Sequence, residues 1–476
     1  MSNGSGSITQ PLSAPPAASA AVSRTRLLLD GPIVSTLLRL AAPNVVVNVV
    51  LIASTATVDA HFVGKLGPDA LAGLSLVFPL IMLMQQMANS SMGGAIASAI
   101  ARAIGAGRHA DASALVVHGV AVAAGMAAIF AAIMLIAGPT IYAMMGGVAE
   151  ARAAALQYSN AVFGGALAYW LLSTLTSVVR GAGQATMLAV VYLASQALHI
   201  LLVPALMFGV GPLPPLGVAG AGIATVASFA AASGVLAWYI ASGRTAVRLS
   251  LRGVRPSRRL FAEILRVGAP MSLQPFLNNL SLATLTGFVG ALGAAELAGF
   301  GVAVRLEYLL YPLAFGLGAG ALALVGTNIG AGNLARAARS AWTAAALAAG
   351  VTGSIGLFGI TSPHAWIGLF TDAPEIHTLA ARYLVVVSLA YPFLGLGLTL
   401  ASSFQAAGRP LWPLLGITSR ALVVIIGGWI AVHLTSTGFA GLAFVAASGL
   451  IVYGAGLTIA FRVGVWQPSG PRNRRA

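Results

Sequence analysis

The sequence predicts an all-α integral membrane protein, with twelve transmembrane helices in two pseudo-symmetric six-helix lobes around a central cleft. Three observations carry that prediction. Of 476 residues, 58% are hydrophobic and only 7% charged, whereas soluble domains carry about 25% charged residues. Breaking the apolar runs at glycine, proline and charge clusters leaves twelve segments of about 20 residues or more, the length a helix needs to cross hydrocarbon. The chain also repeats itself. Phe62-Val63-Gly64-Lys65-Leu66-Gly67-Pro68-Asp69-Ala70-Leu71-Ala72-Gly73 returns as Phe288-Val289-Gly290-Ala291-Leu292-Gly293-Ala294-Ala295-Glu296-Leu297-Ala298-Gly299, with eight of twelve positions identical at an offset of 226.

The first thirty residues stand apart. Met1 to about Ala21 is rich in Ser, Gly, Ala and Pro and lacks both a basic start and a compact apolar run. That composition predicts a disordered cytoplasmic tail over 1–30 rather than a cleaved signal peptide. The N-terminal lobe, residues 31–241, holds predicted helices over 36–63, 69–101, 113–138, 151–180, 184–209 and 217–241. A basic linker over 242–259 follows, whose six arginines set topology, tether the lobes and can touch anionic headgroups. The C-terminal lobe, 260–463, holds predicted helices over 260–290, 295–328, 335–361, 375–406, 410–434 and 438–462, and a basic cytoplasmic tail spans 464–476.

The repeat register extends across both lobes. Arg39 and Ala42-Pro43 answer Arg266 and Ala269-Pro270, Ile104-Gly105-Ala106-Gly107 answers Ile329-Gly330-Ala331-Gly332, and Ala182-Gly183 answers Ala407-Gly408, at offsets of 225 to 227. With the N-terminus inside, 18 of the 25 basic residues fall on one side of the membrane. Only Lys65, Arg152 and Arg382 fall on the other. Basic loops are retained in the cytoplasm on insertion, so both termini are expected there. Six helices return the chain to its starting side, so the two copies share one polarity and an axis along the membrane normal relates them. Duplicated membrane segments of this kind are typical of transporters, whose substrate route runs between the halves.

Composition excludes several functions. The net charge of +15 is scattered along the chain and forms no basic face, so a nucleic-acid partner is not expected. Cysteine is absent, which removes disulfides, thiolate metal sites and cysteine nucleophiles. There is no phosphate-cradling Gly-Lys-Ser/Thr loop, no His-Glu-x-x-His and no Gly-x-Ser-x-Gly. An enzyme is therefore not expected, no catalytic residue or metal site is assigned, and no cofactor is implied. Among ten acidic residues, only Asp59 and Glu307 sit well within predicted helices. A carboxylate inside the bilayer is costly unless paired, protonated or hydrated, which makes both functional candidates.

Around Asp59 the pattern is specific. Thr57-Val58-Asp59-Ala60-His61-Phe62-Val63-Gly64-Lys65-Leu66-Gly67 resembles the first-helix signature of the multidrug and toxic compound extrusion (MATE) family. Leu297-Ala298-Gly299-Phe300-Gly301-Val302-Ala303-Val304-Arg305-Leu306-Glu307, Gly326-Thr327-Asn328-Ile329-Gly330-Ala331-Gly332, Tyr391-Pro392-Phe393-Leu394-Gly395-Leu396-Gly397 and Phe404-Gln405-Ala406-Ala407-Gly408 extend the likeness over about residues 30 to 463. The resemblance implies a bacterial inner-membrane, multi-pass antiporter. It would export amphipathic, often cationic organic compounds in exchange for inward H⁺ or Na⁺ by alternating access, and it is expected to act as a monomer in the bilayer.

In the family the matching first-helix aspartate is implicated in cation coupling, which implies that role for Asp59. Where family members carry a fifth-helix Leu-Asn-x-x-x-Asp-Pro pattern, this chain has Leu198-His199-Ile200-Leu201-Leu202-Val203-Pro204. Val203 cannot coordinate Na⁺, whereas an imidazole at His199 titrates in a range suited to H⁺ transfer, so H⁺ is favoured over Na⁺. Thr225 matches a sixth-helix hydroxyl lining the same family site. In the second lobe Asn278 stands where some branches place an acid, and Arg305, Glu307 and Asn278 are expected to form a structural polar network. Gln85, Gln86, Asn89, Tyr169, Trp170, Gln274, Asn279 and Tyr311 fall in helices that the resemblance places around the cleft, as amide and aromatic contacts for small organic substrates. Two other functions stay open. A flippase of lipid-linked precursors needs an arginine-lined cavity, for which only Arg305 is available. An intramembrane transferase needs converging acid and base groups, which His118, His199 and His433 do not supply.

Overall fold

The structure, a computed structural model, describes residues 25–210, 214–247, 255–435 and 437–467, and for residues 50–57 the backbone only. Most of both expected tails and the middle of the linker, with Arg24, Arg248, Arg252, Arg472, Arg474 and Arg475, lie outside the described residues, but residues 25–30, expected in a disordered tail, are helical because Leu28 packs against Leu40, Ala185 and Leu324. The described residues contain helices and no strand. The first span is α1 (Ile33–Gly64). The second is continuous over Pro68–Gly105 and consists of α2 (Pro68–Gln86), a π-turn (Met87–Met92) and α3 (Gly93–Gly105). Then come α4 (His109–Met144), α5 (Ala149–Gly164) with α6 (Ala166–Gly181), α7 (Thr186–Phe208) and α8 (Gly217–Ala241). The second lobe repeats the series as α9 (Arg258–Leu292), α10 (Ala294–Gly330), α11 (Leu334–Thr361), a short α12 (Pro363–Ile367), α13 (Pro374–Ser388) with α14 (Tyr391–Ala406), α15 (Leu411–His433) and α16 (Gly438–Arg462).

Eight of these helices are long and apolar enough to cross a membrane alone, and the pairs α5/α6 and α13/α14 bring the number to ten if each pair is one span. The helix α9 misses that test because Glu263, Arg266, Gln274, Asn278 and Asn279 lower its apolar content. Both pairs were predicted as unbroken helices, and both bend, by 47° and 50°. The bends fall at residues 165 and 390, one repeat offset of 225 apart. In the first copy a Cβ at Gly165 would collide with Val226 of α8, so a small residue is needed at the bend. In the second, Pro392 lacks an N–H and its ring crowds the carbonyl of Ser388 four residues back, which breaks the helix.

The N-terminal lobe closes around one apolar core that includes Tyr142, Tyr158, Phe163, Trp170 and Tyr192. The far half of the C-terminal lobe has its own core, from Leu285 and Val289 to Leu450. The lobes are tied together at the end of the bundle where both described chain ends lie. There Arg102 donates to the carbonyl of Ala406 (2.7 Å) and pairs with Glu263 (3.4 Å). Asn328 donates to the carbonyl of Leu28 (3.1 Å), and Ser91 to that of Met271 (2.9 Å). Small residues let the backbones approach: a Cβ added at Gly105 would lie on the Thr327 backbone, and one at Gly330 on the Arg102 backbone. Gly105 and Gly330 are equivalent in the two repeats, so the seal is itself pseudo-symmetric.

Gly105→Val and Gly330→Val should each force α3 and α10 apart and cost about 1–3 kcal/mol. Thermal unfolding of the purified protein reads this as a lowered midpoint, while Gly301→Ala, with nothing within 4 Å of the new Cβ, should leave the midpoint near wild type. Equal midpoints for all three would contradict the close crossing.

Candidate functional site

Asp59 lies in the penultimate turn of α1 and is 1% exposed. Its two carboxylate oxygens have separate partners. Tyr158 of α5 donates its hydroxyl to Oδ2 at 2.5 Å, and His199 of α7 places Nε2 2.9 Å from Oδ1. His199 is 4% exposed, and its Nδ1 has no hydrogen-bond partner among the described residues. Three helices of one lobe therefore converge on one carboxylate, and a carboxylate accepting such bonds is the form that avoids an unpaired buried charge. The third sequence-predicted residue, Thr225 of α8, sits beside Tyr158 but bonds its own helix at the Ala221 carbonyl (3.1 Å).

This arrangement can hold a proton in more than one place. With one proton between Nε2 and Oδ1 and none on Nδ1, every buried donor in the trio is satisfied. A further proton has an open acceptor at Nδ1 of His199, whose occupation gives an imidazolium against a carboxylate. Tyr158 was not identified from the sequence. Its signal was available only as a rule: a membrane-buried acid needs donors, and a tyrosine inside a half-span of the same lobe is a candidate.

The residues expected around the cleft divide. Gln85 and Tyr169 are buried and line, with Tyr158, Thr225, Met84 and Phe229, a small pocket inside the N-terminal lobe. Trp170 is 1% exposed and packs against Phe130 (5.9 Å between ring centroids), in the interior of the lobe rather than at the cleft. Gln86 is half-buried, Asn279 is exposed, and half-buried Gln274 donates to the Met271 sulfur (3.2 Å). Asn89, in the π-turn, accepts from Arg180 (3.1 Å). The π register frees carbonyls there, and Gln405 of the other lobe donates to those of Ser90 (3.0 Å) and Ser91 (3.1 Å). Arg180 and Gln405 are repeat equivalents, so corresponding ends of the two bent spans clasp the π-turn from either side.

In the second lobe two of the three residues expected to form a network, Glu307 and Asn278, meet around a different cation. Arg420 of α15 pairs with Glu307 (3.5 Å) and donates to Asn278 (3.0 Å) and Tyr311 (3.4 Å), while Tyr311 donates to Glu307 (3.3 Å). Arg305 is outside this network. It is exposed, with its guanidinium over the Phe370 ring at 4.8 Å. Helical spacing is the reason: residues two apart point to different faces, so only Glu307 turns inward.

Arg420→Gln should strand the Glu307 charge inside the lobe and cost about 3–5 kcal/mol, whereas adding Glu307→Gln should restore much of that loss. Thermal unfolding of the single and double variants is the measurement. A double variant no more stable than Arg420→Gln alone would contradict the pairing.

The MatE family profile matches the chain twice, over residues 45–205 and 270–430, which is the internal repeat at an offset of 225. A "probable multidrug resistance protein NorM" of Pseudomonas aeruginosa is 29% identical over 461 residues, covering 89% of this chain and 88% of that protein. An "FAD transporter" of Shewanella oneidensis is 23% identical over 401 residues, covering 84% and 88%. A solved structure described as the outward-facing conformation of a multidrug resistance MATE family transporter superposes with a TM-score of 0.84 at 25% identity, covering 93% of this chain and 98% of that one. With both of its halves matched, the chain belongs to the MatE family, whose members are multi-pass membrane transporters and not enzymes.

Proposed function

We propose that this protein is a secondary active multidrug exporter that exchanges amphipathic, often cationic organic compounds for protons by alternating access. In this reading it sits in the bacterial inner membrane with both termini in the cytoplasm. The observation that carries it is the Asp59 carboxylate, buried in the N-terminal lobe and held by Tyr158 and His199. Coupling requires a group whose charge changes during the cycle and whose charge state matters to packing, and a carboxylate with two neutral donors meets both conditions. Protonating the trio turns a net negative cluster into a neutral one, which alters how strongly the surrounding helices hold it. Na⁺ is less well served. It prefers several oxygen ligands, one face of Asp59 is occupied by an imidazole, and Val203 offers no oxygen.

Alternating access is supported by the asymmetry of the lobe contacts. The seal from Arg102, Gln405 and the Gly105/Gly330 crossing lies at the end bearing the chain ends, while the far halves of the lobes have separate cores. This is the contact pattern of a cleft open away from the termini, in keeping with the outward-facing description of the similar solved structure. Export of varied organic compounds is supported by the multidrug names of the relatives. A flippase is less supported, because Arg305 lies over Phe370 and Arg420 is committed to Glu307.

The test is transport of a fluorescent organic cation in proteoliposomes under imposed H⁺ or Na⁺ gradients. A proton gradient should drive wild-type flux, and Asp59→Asn should reduce it at least about ten-fold, the equivalent of 1.4 kcal/mol. Flux that depends on Na⁺ alone, or full proton-driven flux in Asp59→Asn, would contradict the assignment. His199→Ala and Tyr158→Phe should each change the pH profile of transport, and an unchanged profile would reduce those residues to packing.

A further inference from the structure

A second polar site lies outside the Asp59 cluster, at the end of the bundle that bears the chain ends. A cavity of about 200 Å³ opens between the first turns of α1, the first turn of α7 and the last turn of α8. Thr36 lines it, is 2% exposed, and its hydroxyl has no hydrogen-bond partner among the described residues. The Pro32 carbonyl four residues back already accepts from the Thr36 backbone N–H (3.1 Å) and from the Ser35 hydroxyl (3.3 Å). Arg39, one turn along the same face of α1, also lines the cavity. It is exposed and forms no hydrogen bond or ion pair that ties it to another described residue.

The opposite wall is the start of α7, a helix of 23 residues whose N-terminus at Ala185 has no side-chain cap. Residues 183–187 line the cavity, so the positive end of the α7 dipole faces it. Tyr239 and Gln184 fix the third wall: the tyrosine hydroxyl donates to Gln184 Oε1 (3.3 Å), and Gln184 Nε2 donates to the Arg244 carbonyl (3.2 Å). No lining residue is acidic. Leu28, Leu40 and Met187 supply apolar surface beside these donors.

We propose that this crevice binds a phosphate ester, with the headgroup phosphate of a bilayer lipid as the source its apolar walls favour. The guanidinium of Arg39, the Thr36 hydroxyl and the uncapped α7 N–H groups are the donors, and the leucine and methionine walls receive the start of the acyl region. The site is independent of the coupling reading. Its occupant braces the junction of the lobes, because the adjoining segment accepts hydrogen bonds from the second lobe at Leu28, from Asn328, and at Gly31, from Arg336.

The experiment uses full-length protein in detergent. Native mass spectrometry measures retention of phosphatidylglycerol and of phosphate-free diacylglycerol, and thermal unfolding is followed with and without millimolar inorganic phosphate. Wild type should retain phosphatidylglycerol about ten-fold more strongly than a Thr36→Val/Arg39→Gln variant, the loss expected for charge-assisted bonds to phosphate. The linker arginines contribute the same background to both proteins, and diacylglycerol should not discriminate between them. Stabilisation of wild type alone by inorganic phosphate, without lipid discrimination, identifies free phosphate as the source and supports the same donors. Equal behaviour of wild type and variant in both arms overturns the site. If the double variant unfolds without ligand at a lower temperature than wild type, Arg39→Lys carries the test. It keeps the charge but not the fork, and should retain lipid at a level between the two; retention equal to wild type overturns the role of Arg39.

Discussion

A carboxylate withdrawn from water into a helical bundle must be supplied with donors or lose its charge, and the N-terminal lobe is arranged around that requirement at Asp59. Tyr158 and His199 reach it from α5 and α7, so three spans are fixed relative to one another by a single side chain. Each partner meets a different oxygen. Losing either would leave a lone pair facing an apolar interior, at a cost of about 1–3 kcal/mol for an unsatisfied buried group. The same dependence makes the cluster sensitive to a proton, because adding one changes which groups donate and which accept. Structure and proposed coupling thus rest on one interaction.

The duplication throws this into relief, because the second copy keeps the scaffold and discards the chemistry. At repeat-equivalent positions Tyr158 becomes Tyr383, but Asp59 becomes Leu285 and His199 becomes Val424, all three inside the apolar core of the second lobe. Tyr383 is 2% exposed and its hydroxyl has no partner among the described residues. The C-terminal lobe instead carries the Glu307–Arg420 pair, a neutral combination in which each charge answers the other. The two lobes are alike in path and unlike in their buried polar groups, with a hydrogen-bonded carboxylate in one and an ion pair in the other. What they share is the seal, where Gly105 and Gly330 play matching parts.

Much of the fold was legible because it follows from local constraints. Apolar length gives each span, and the observed α8 (Gly217–Ala241) and α16 (Gly438–Arg462) coincide with the intervals read from the sequence. The bends were missed. Glycine pairs and a proline also occur in unbroken membrane helices, as Pro43 does within α1 and Pro312 within α10, so composition does not show which of them breaks. At the site, Asp59 was identifiable because ionisable groups are rare inside spans, and His199 because it stands at the asparagine position of the fifth-helix pattern. Tyr158 was hidden because a tyrosine in a membrane helix is equally at home at an interface or in a core. Arg420 falls inside the predicted span over 410–434, but its partner was not legible, since the 112 residues between it and Glu307 carry no pairing signal. Long-range pairing is decided by packing, which sequence spacing does not encode.

The measurement closest to the central claim is proton release on substrate binding, followed with a pH indicator in weakly buffered detergent solution of the purified protein. If the Asp59 cluster exchanges a proton for an organic cation, adding that cation to wild type releases on the order of one proton per protein, as linkage between the two ligands requires. The Asp59→Asn protein then releases none. Equal release from both proteins, or none from a wild type that binds the cation, would show that the buried carboxylate does not carry the coupled proton.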